Sequence, residues 1–125
     1  MQLSWGLPYT PAMGCLFCRI AAGEIPATLV FEDDDLVAFE DINPHAPMHV
    51  LVVPRAHIST VNDLAPGHDV LVGAMVRRAV LIAAERGYAA SGFRTVFNCN
   101  ADAGQTVFHI HLHVLGGRPL SWPPG

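Results

Sequence analysis

From Phe108 to Val114 the sequence Phe-His-Ile-His-Leu-His-Val alternates strictly between apolar side chains and imidazoles. A β-strand points successive side chains to opposite faces, so Phe108, Ile110, Leu112 and Val114 are expected on the core face and His109, His111 and His113 on the other. At a rise of about 3.3 Å per residue, neighbouring rings in such a row stand about 7 Å apart and the outer two about 13 Å. That is too far for all three to bind one metal ion on an undistorted strand. The row suits group transfer instead. Imidazole is largely neutral at pH 7, with an ordinary pKa of about 6.5, so a middle ring can attack as a nucleophile while a neighbour carries a proton. One histidine here would read as the polar side of a half-exposed strand. Three in phase behind Gly104-Gln105-Thr106 read as a reactive centre.

A second cluster lies near the start. Cys15-x-x-Cys18 has the spacing of half a zinc site, which requires two further ligands to complete a tetrahedron. The same pair also reads as two unliganded thiols on a short helix. With Cys99 the cysteine count is odd, a poor basis for a disulfide framework, and reduced thiols are expected, with Cys99 a small buried residue.

The 125 residues correspond to one domain. Hydrophobic residues make up 51% of the chain and charged residues 14%, which demands a packed core and excludes a disordered linker. Seven arginines and no lysine stand against 11 carboxylates, a formal charge of −4. There is no basic stripe for a phosphate backbone, so polymeric nucleic acid is not an expected partner. Arg77 and Arg78 interrupt the longest apolar stretch well short of the roughly 18 residues that span a bilayer, and no membrane is expected. Residues 1–14 read as a loosely ordered extension without the layout of a secretory signal, which points to the cytoplasm. The domain is residues 15–125.

Several elements must position these groups. A short helix is expected from Cys15 to about Ala22, stopped by Gly23 and Pro26. Leu29–Glu32 and Leu36–Glu40 flank Asp33-Asp34-Asp35 as a hairpin, and His49–Val53, closed by Pro54, reads as a central strand. One long amphipathic helix is predicted from about Pro66 to Arg86, with Val70, Leu71, Ala74, Met75, Leu81 and Ile82 inward and Gly87 as its stop. Phe93–Asn98 and Val107–Leu115 complete an α+β domain with a five-stranded, largely antiparallel sheet. Trp122, in the irregular tail, is too large an apolar surface to leave in water and is expected to dock on a partner subunit.

These residues resemble a known family. His109-x-His111-x-His113 behind Gly104-Gln105-Thr106-Val107 is similar to the signature of the histidine triad superfamily. Gly116-Gly117-Arg118 and Trp122-Pro123-Pro124-Gly125 resemble its nucleotide-binding HINT branch. The likeness extends from Cys15 to Gly125 through Gly23-Glu24-Ile25-Pro26, Asp41-Ile42-x-Pro44, His49-x-Leu51-Val52-x-Pro54 and His57-Ile58.

The resemblance implies a homodimer that binds purine nucleoside monophosphates and hydrolyses phosphoramidate and adenylate conjugates through a nucleotidyl-histidine. His111 would be the nucleophile, and His113 would serve the leaving amine and the non-bridging oxygens. His49 would sit beside the nucleophile and help orient it. Asp41 would accept from the ribose hydroxyls, Phe17, Ile20, Phe39 and Ile42 would sandwich the purine, and Asn98, Gln105, Thr106 and Val107 would approach the phosphate. Asn98 reads equally as a turn asparagine. Catalysis would need no cofactor. Zinc, a structural ion in some bacterial relatives, would lie on Cys15, Cys18, His57 and His109, giving His109 a structural role beside its place in the catalytic row. Glu40 departs from the pattern, since it adds a second carboxylate beside the ribose site. His45 and His68 have no assigned role. The alternatives are a dinucleoside polyphosphate hydrolase using the same His111, a nucleotide-binding or interaction module with vestigial catalysis, and a zinc-binding regulator.

Overall fold

A computed structural model describes residues 14–125; apart from Gly14, the extension expected at residues 1–14 lies outside them. The elements run α1 (Leu16–Ala21), β1 (Leu29–Glu32), β2 (Leu36–Glu40), β3 (Met48–Pro54), α2 (Asp69–Glu85), β4 (Phe93–Phe97) and β5 (Leu112–Gly116), with short 3-10 turns between some of them. The five strands form one sheet in the order β1-β2-β3-β5-β4, every pair antiparallel. The fold class expected from the sequence is the one observed.

Local chemistry explains the hairpin. Asp33 Oδ1 accepts from the N–H groups of Asp35 and Leu36 at 2.8 and 2.7 Å, closing the turn between β1 and β2. These two bonds to its charged form hold the Asp33 carboxyl below its ordinary range. The sheet separates two apolar layers. Leu36, Ala38, Met48, Val50, Val52, Leu112 and Val114 face α2, which buries Met75, Ala79, Ile82 and Ala83 against them. Val37, Phe39, Leu51 and Val53 form the other face and pack under Cys15 and Phe17. Strand alternation therefore places His49, Leu51 and Val53 on the α1 side.

Two expectations about orientation are corrected. In α2, Val70 is 85% exposed and Leu81 also faces outward, because Met75, Ala79, Ile82 and Ala83 define the inward stripe. The histidine strand is shorter than its alternation suggests. Pairing begins only at Leu112, and Phe108 is half exposed rather than in the core. Residues 107–111 are tied instead to the loop after β3. The Ile110 N–H donates to the Ile58 carbonyl at 2.7 Å, and the Gln105 amide nitrogen donates to the carbonyls of Ser59 and Val107. Cys99 is half-buried rather than buried.

Candidate active site and candidate metal centre

The bend before β5 separates the three histidines into two groups. His109 is fully buried, and its ring turns toward α1. Its Nε2 lies 2.7 Å from the Pro54 carbonyl, so Nε2 carries the proton and the Nδ1 lone pair faces Cys15 Sγ and Cys18 Sγ, both at 3.4 Å. His57 Nδ1 stands 3.3 Å from Cys18 Sγ, while its Nε2 meets the Ser59 hydroxyl at 3.3 Å. The four donors expected from the sequence thus converge within 4.8 Å of one another. Ideal tetrahedral zinc, with Zn–S near 2.3 Å and Zn–N near 2.0 Å, would separate S and N by about 3.5 Å, close to the spacing found. Both imidazoles are also braced through their second nitrogen, as metal-bound histidines require. Burial and the adjacent Cys15 push the Cys18 thiol up to about 12, so this sulfur keeps its proton unless a cation draws it off.

His111 and His113 stand together beyond the bend, their ring centroids 4.9 Å apart. His111 Nδ1 lies 2.8 Å from the His109 main-chain carbonyl, an acceptor only. Nδ1 therefore carries the proton, and the lone pair is on Nε2, the geometry of an attacking nitrogen. Burial lowers the His111 pKa, against partial opposition from that hydrogen bond and the Asp41 charge, and keeps the ring neutral. Phe17 from α1 meets His111 edge-on at a centroid distance of 5.0 Å and Phe39 at 5.4 Å.

The partner of His49 is His113 rather than His111. The antiparallel register pairs His49 with Leu115 and Leu51 with His113, which makes the two histidines diagonal neighbours on one face. His49 Nε2 reaches His113 Nδ1 at 2.9 Å and Asp41 Oδ2 at 3.3 Å. The His45 N–H donates to His49 Nδ1 at 3.0 Å, so neutral His49 bears its proton on Nε2. That proton is donated to His113 Nδ1, which leaves the His113 proton on Nε2. Burial first, then the neighbouring imidazoles, lower His113 to about 4. It is a neutral donor in the free protein.

Beside these rings is a cavity of about 310 Å³. Phe17, Ile20, Phe39 and Leu51 form its apolar floor; Asp41, Thr106, Val107, His111 and His113 line the polar end. Ile42 lies at its mouth, 99% exposed. Asn98 follows β4 one residue past the Phe97–Leu112 pair, across from His111. Gln105 is buried and commits its side chain to Ser59, Val107 and Asn100, bracing the loop rather than facing the cavity. Glu40 is among the residues that line the cavity, beside Asp41, and its carboxylate pairs with Arg86 after α2. Two contributors went unassigned in the sequence. The His45 backbone sets the His49 tautomer, and Arg118 Nε holds the His45 carbonyl at 2.8 Å. The Gly116-Gly117-Arg118 string was the available signal, but it carries no address.

Residues 14–119 match the family described as "Scavenger mRNA decapping enzyme C-term binding". The chain is 46% identical over 105 residues to the purine nucleoside phosphoramidase of Escherichia coli, covering 84% of this chain and 88% of that one. A HIT family hydrolase from Legionella pneumophila is 52% identical with a TM-score of 0.89, over 90% of this chain and all of the other. A zinc-bound histidine triad family protein from Mycobacterium smegmatis is 35% identical with a TM-score of 0.72, over 86% and 77% of the two chains.

Proposed function

Because the chain belongs to the histidine triad family of hydrolases, we propose that it hydrolyses the P–N bond of purine nucleoside phosphoramidates and related adenylate conjugates, releasing the nucleoside monophosphate. The observation that carries this reading is the pair of opposed tautomers. His111 presents an unprotonated Nε2 and His113 a protonated one at the same polar end of a nucleoside-sized cavity.

The reaction proceeds in two displacements. His111 Nε2 attacks phosphorus, forming an N–P bond as the P–N bond to the amine breaks and its electron pair departs on nitrogen. The amine takes a proton from the imidazolium form of His113, which gains its second proton from solvent as the substrate binds, so the ring returns to neutral as the amine departs. The negative phosphoryl oxygens beside His113 favour its charged form and so offset the desolvation that keeps it neutral in the free protein. Water then attacks phosphorus, His113 takes back a proton, and the His111 N–P bond breaks to free the monophosphate. Asp41 accepts from the ribose hydroxyls, Phe17, Ile20, Phe39 and Ile42 hold the purine, and Asn98, Thr106, Val107 and the Gln105 loop surround the phosphate. His109 serves this chemistry through its carbonyl. No metal takes part in these steps.

Zinc held by Cys15, Cys18, His57 and His109 would be a structural crosslink between α1, the loop after β3 and the bend before β5. The same reading includes residues 15–125 as the catalytic domain with residues 1–14 as an extension, a cytoplasmic setting in keeping with three free cysteines among the described residues, and a homodimer. Supporting the dimer are the open edge of β4, the outward Val76 and Val80 of α2, and Trp122 at 82% exposed. No described helix is long and apolar enough to cross a membrane.

The discriminating experiment supplies an AMP–amine conjugate and a diadenosine polyphosphate to the same protein. Preferential release of AMP from the conjugate, with an adenylylated protein trapped by acid quench, is the expected result. Preference for the polyphosphate makes it a dinucleoside polyphosphate hydrolase, and binding of AMP without turnover of either makes it a binding module.

A further inference from the structure

The two groups of histidines are joined through one residue. His109 gives its ring to the cysteine cluster and its main-chain carbonyl to His111 Nδ1. The geometry points to His109 as a positioning residue that couples occupancy of the Cys15–Cys18–His57–His109 centre to the alignment of the His111 nucleophile and of the α1 wall of the nucleoside cavity. The inference rests on the reading of His111 as the nucleophile, and concerns what holds that ring.

Three connections run outward from the centre. The first is the His109 peptide: residues 107–111 lie outside the β5 ladder, so no sheet hydrogen bonds fix the carbonyl that holds His111. What fixes it is the ring's bond to Pro54, the Ile110 N–H to Ile58 and whatever binds at Nδ1. The second is α1, a helix of six residues and too short to be stable by itself. Cys15 is its N-cap and accepts from the Cys18 N–H, so two of the four donors bracket its first turn. Phe17, between them, contacts His109 at 6.1 Å and His111 at 5.0 Å. The third is the loop after β3, which carries His57 and receives the Ile110 and Gln105 hydrogen bonds. A divalent cation held by the four donors would join all three segments by direct bonds; without one they meet there only through weak sulfur contacts of 3.3 to 3.4 Å.

A second cavity of about 440 Å³ is lined by Cys15, His57, Ser59 and Phe108, so it borders two of the four donors. It shares Leu16, Thr106 and Val107 with the nucleoside cavity, which makes the two cavities neighbours.

The test uses the whole protein, prepared metal-free and titrated with zinc alone, with 15N-labelled histidine. The expected signature is a zinc-dependent change in the His111 ring nitrogens that saturates at one zinc per chain, together with tighter AMP binding and an adenylylation burst about tenfold faster, the size of effect that outer partners of a metal centre exert. Cys18→Ser should abolish the zinc response of the His111 signals. Should metal-free protein fail to fold, the same spectra are taken with diamagnetic cadmium in place of zinc, whose longer bonds must then shift the His111 resonances. His111 signals, AMP affinity and burst rate that ignore both loading and metal identity overturn the coupling. The proposed function fails separately: a His111 response to zinc in a protein that never turns over the conjugate would refute the phosphoramidase reading and leave the coupling standing.

Discussion

His49 Nε2 stands 2.9 Å from His113 Nδ1, and the direction of that hydrogen bond is imposed from outside by the His45 N–H on His49 Nδ1. A proton is thereby parked on the one nitrogen of His113 that faces the cavity. His49→Phe leaves His113 Nδ1 without its donor and is expected to lower kcat by about 10- to 100-fold, with a smaller change in KM. His49→Gln, whose amide can still donate, should recover part of the loss. Equal kcat values for wild type and His49→Phe would show that the chain of imidazoles does not set the proton.

His111→Ala removes the nitrogen proposed to attack phosphorus while sparing the cavity floor of Phe17 and Phe39. Turnover of an AMP–amine conjugate and the acid-trapped adenylyl-protein should both vanish, and AMP binding should remain measurable by calorimetry. His113→Ala, which removes only the proton donor, should slow P–N cleavage by about 10²- to 10⁴-fold and still yield some trapped intermediate.

Asp41 Oδ1 accepts from the Asn43 N–H at 2.8 Å, which aims the carboxylate along the cavity edge. Asp41→Asn should weaken AMP binding by about tenfold or more, the loss of a charge-assisted hydrogen bond. The comparison with 2′,3′-dideoxy-AMP is decisive: the variant and wild type should bind that analogue alike, and a large difference would place Asp41 elsewhere in the reaction.

Stability should depend on pH in a defined direction. Folded His113 titrates at about 4, against 6.5 for an ordinary histidine. Below pH 6.5 the unfolded chain takes up a proton that folded His113 refuses, so stability is full above that pH and declines as pH falls toward 4. Burial of His49 and His111 acts in the same sense. Calorimetric Tm should be level above pH 7 and drop across this window, and His113→Asn should flatten the drop; the same slope in the variant would contradict the assignment.

Gly117 has φ of +97°, and a Cβ there would meet Pro47 Cβ and the Tyr88 hydroxyl at 2.8 Å. Gly117→Ala combines backbone strain with that clash and should destabilise the protein by about 2 kcal/mol or more in urea unfolding. Gly67, where an added Cβ would meet nothing within 4 Å and φ is ordinary, is the control; Gly67→Ala should stay within about 0.5 kcal/mol.

The elements and the residue types of the site were legible in the sequence because both follow from local rules. The apolar run Leu36–Phe39, the period-two alternation in Leu112–Val114, the Asp33 turn and the apolar recurrence up to Ile82 each depend on a few neighbouring residues. The pairing of Cys15 and Cys18 with His57 and His109 was accessible through resemblance alone, since nothing local links segments 94 residues apart. Tertiary contacts decided the rest. Alternation assigns His109 to the same row as His111, but the hydrogen bonds from residues 105 and 110 to the loop after β3 pull that stretch out of the ladder, and its ring goes to the cysteines. The pairing of Glu40 with Arg86, 46 residues later, is likewise out of reach of any local rule. Which nitrogen of His49, His111 or His113 bears a proton is a property of the groups facing it, the His45 N–H and the His109 carbonyl, and these meet the rings only when the chain has folded.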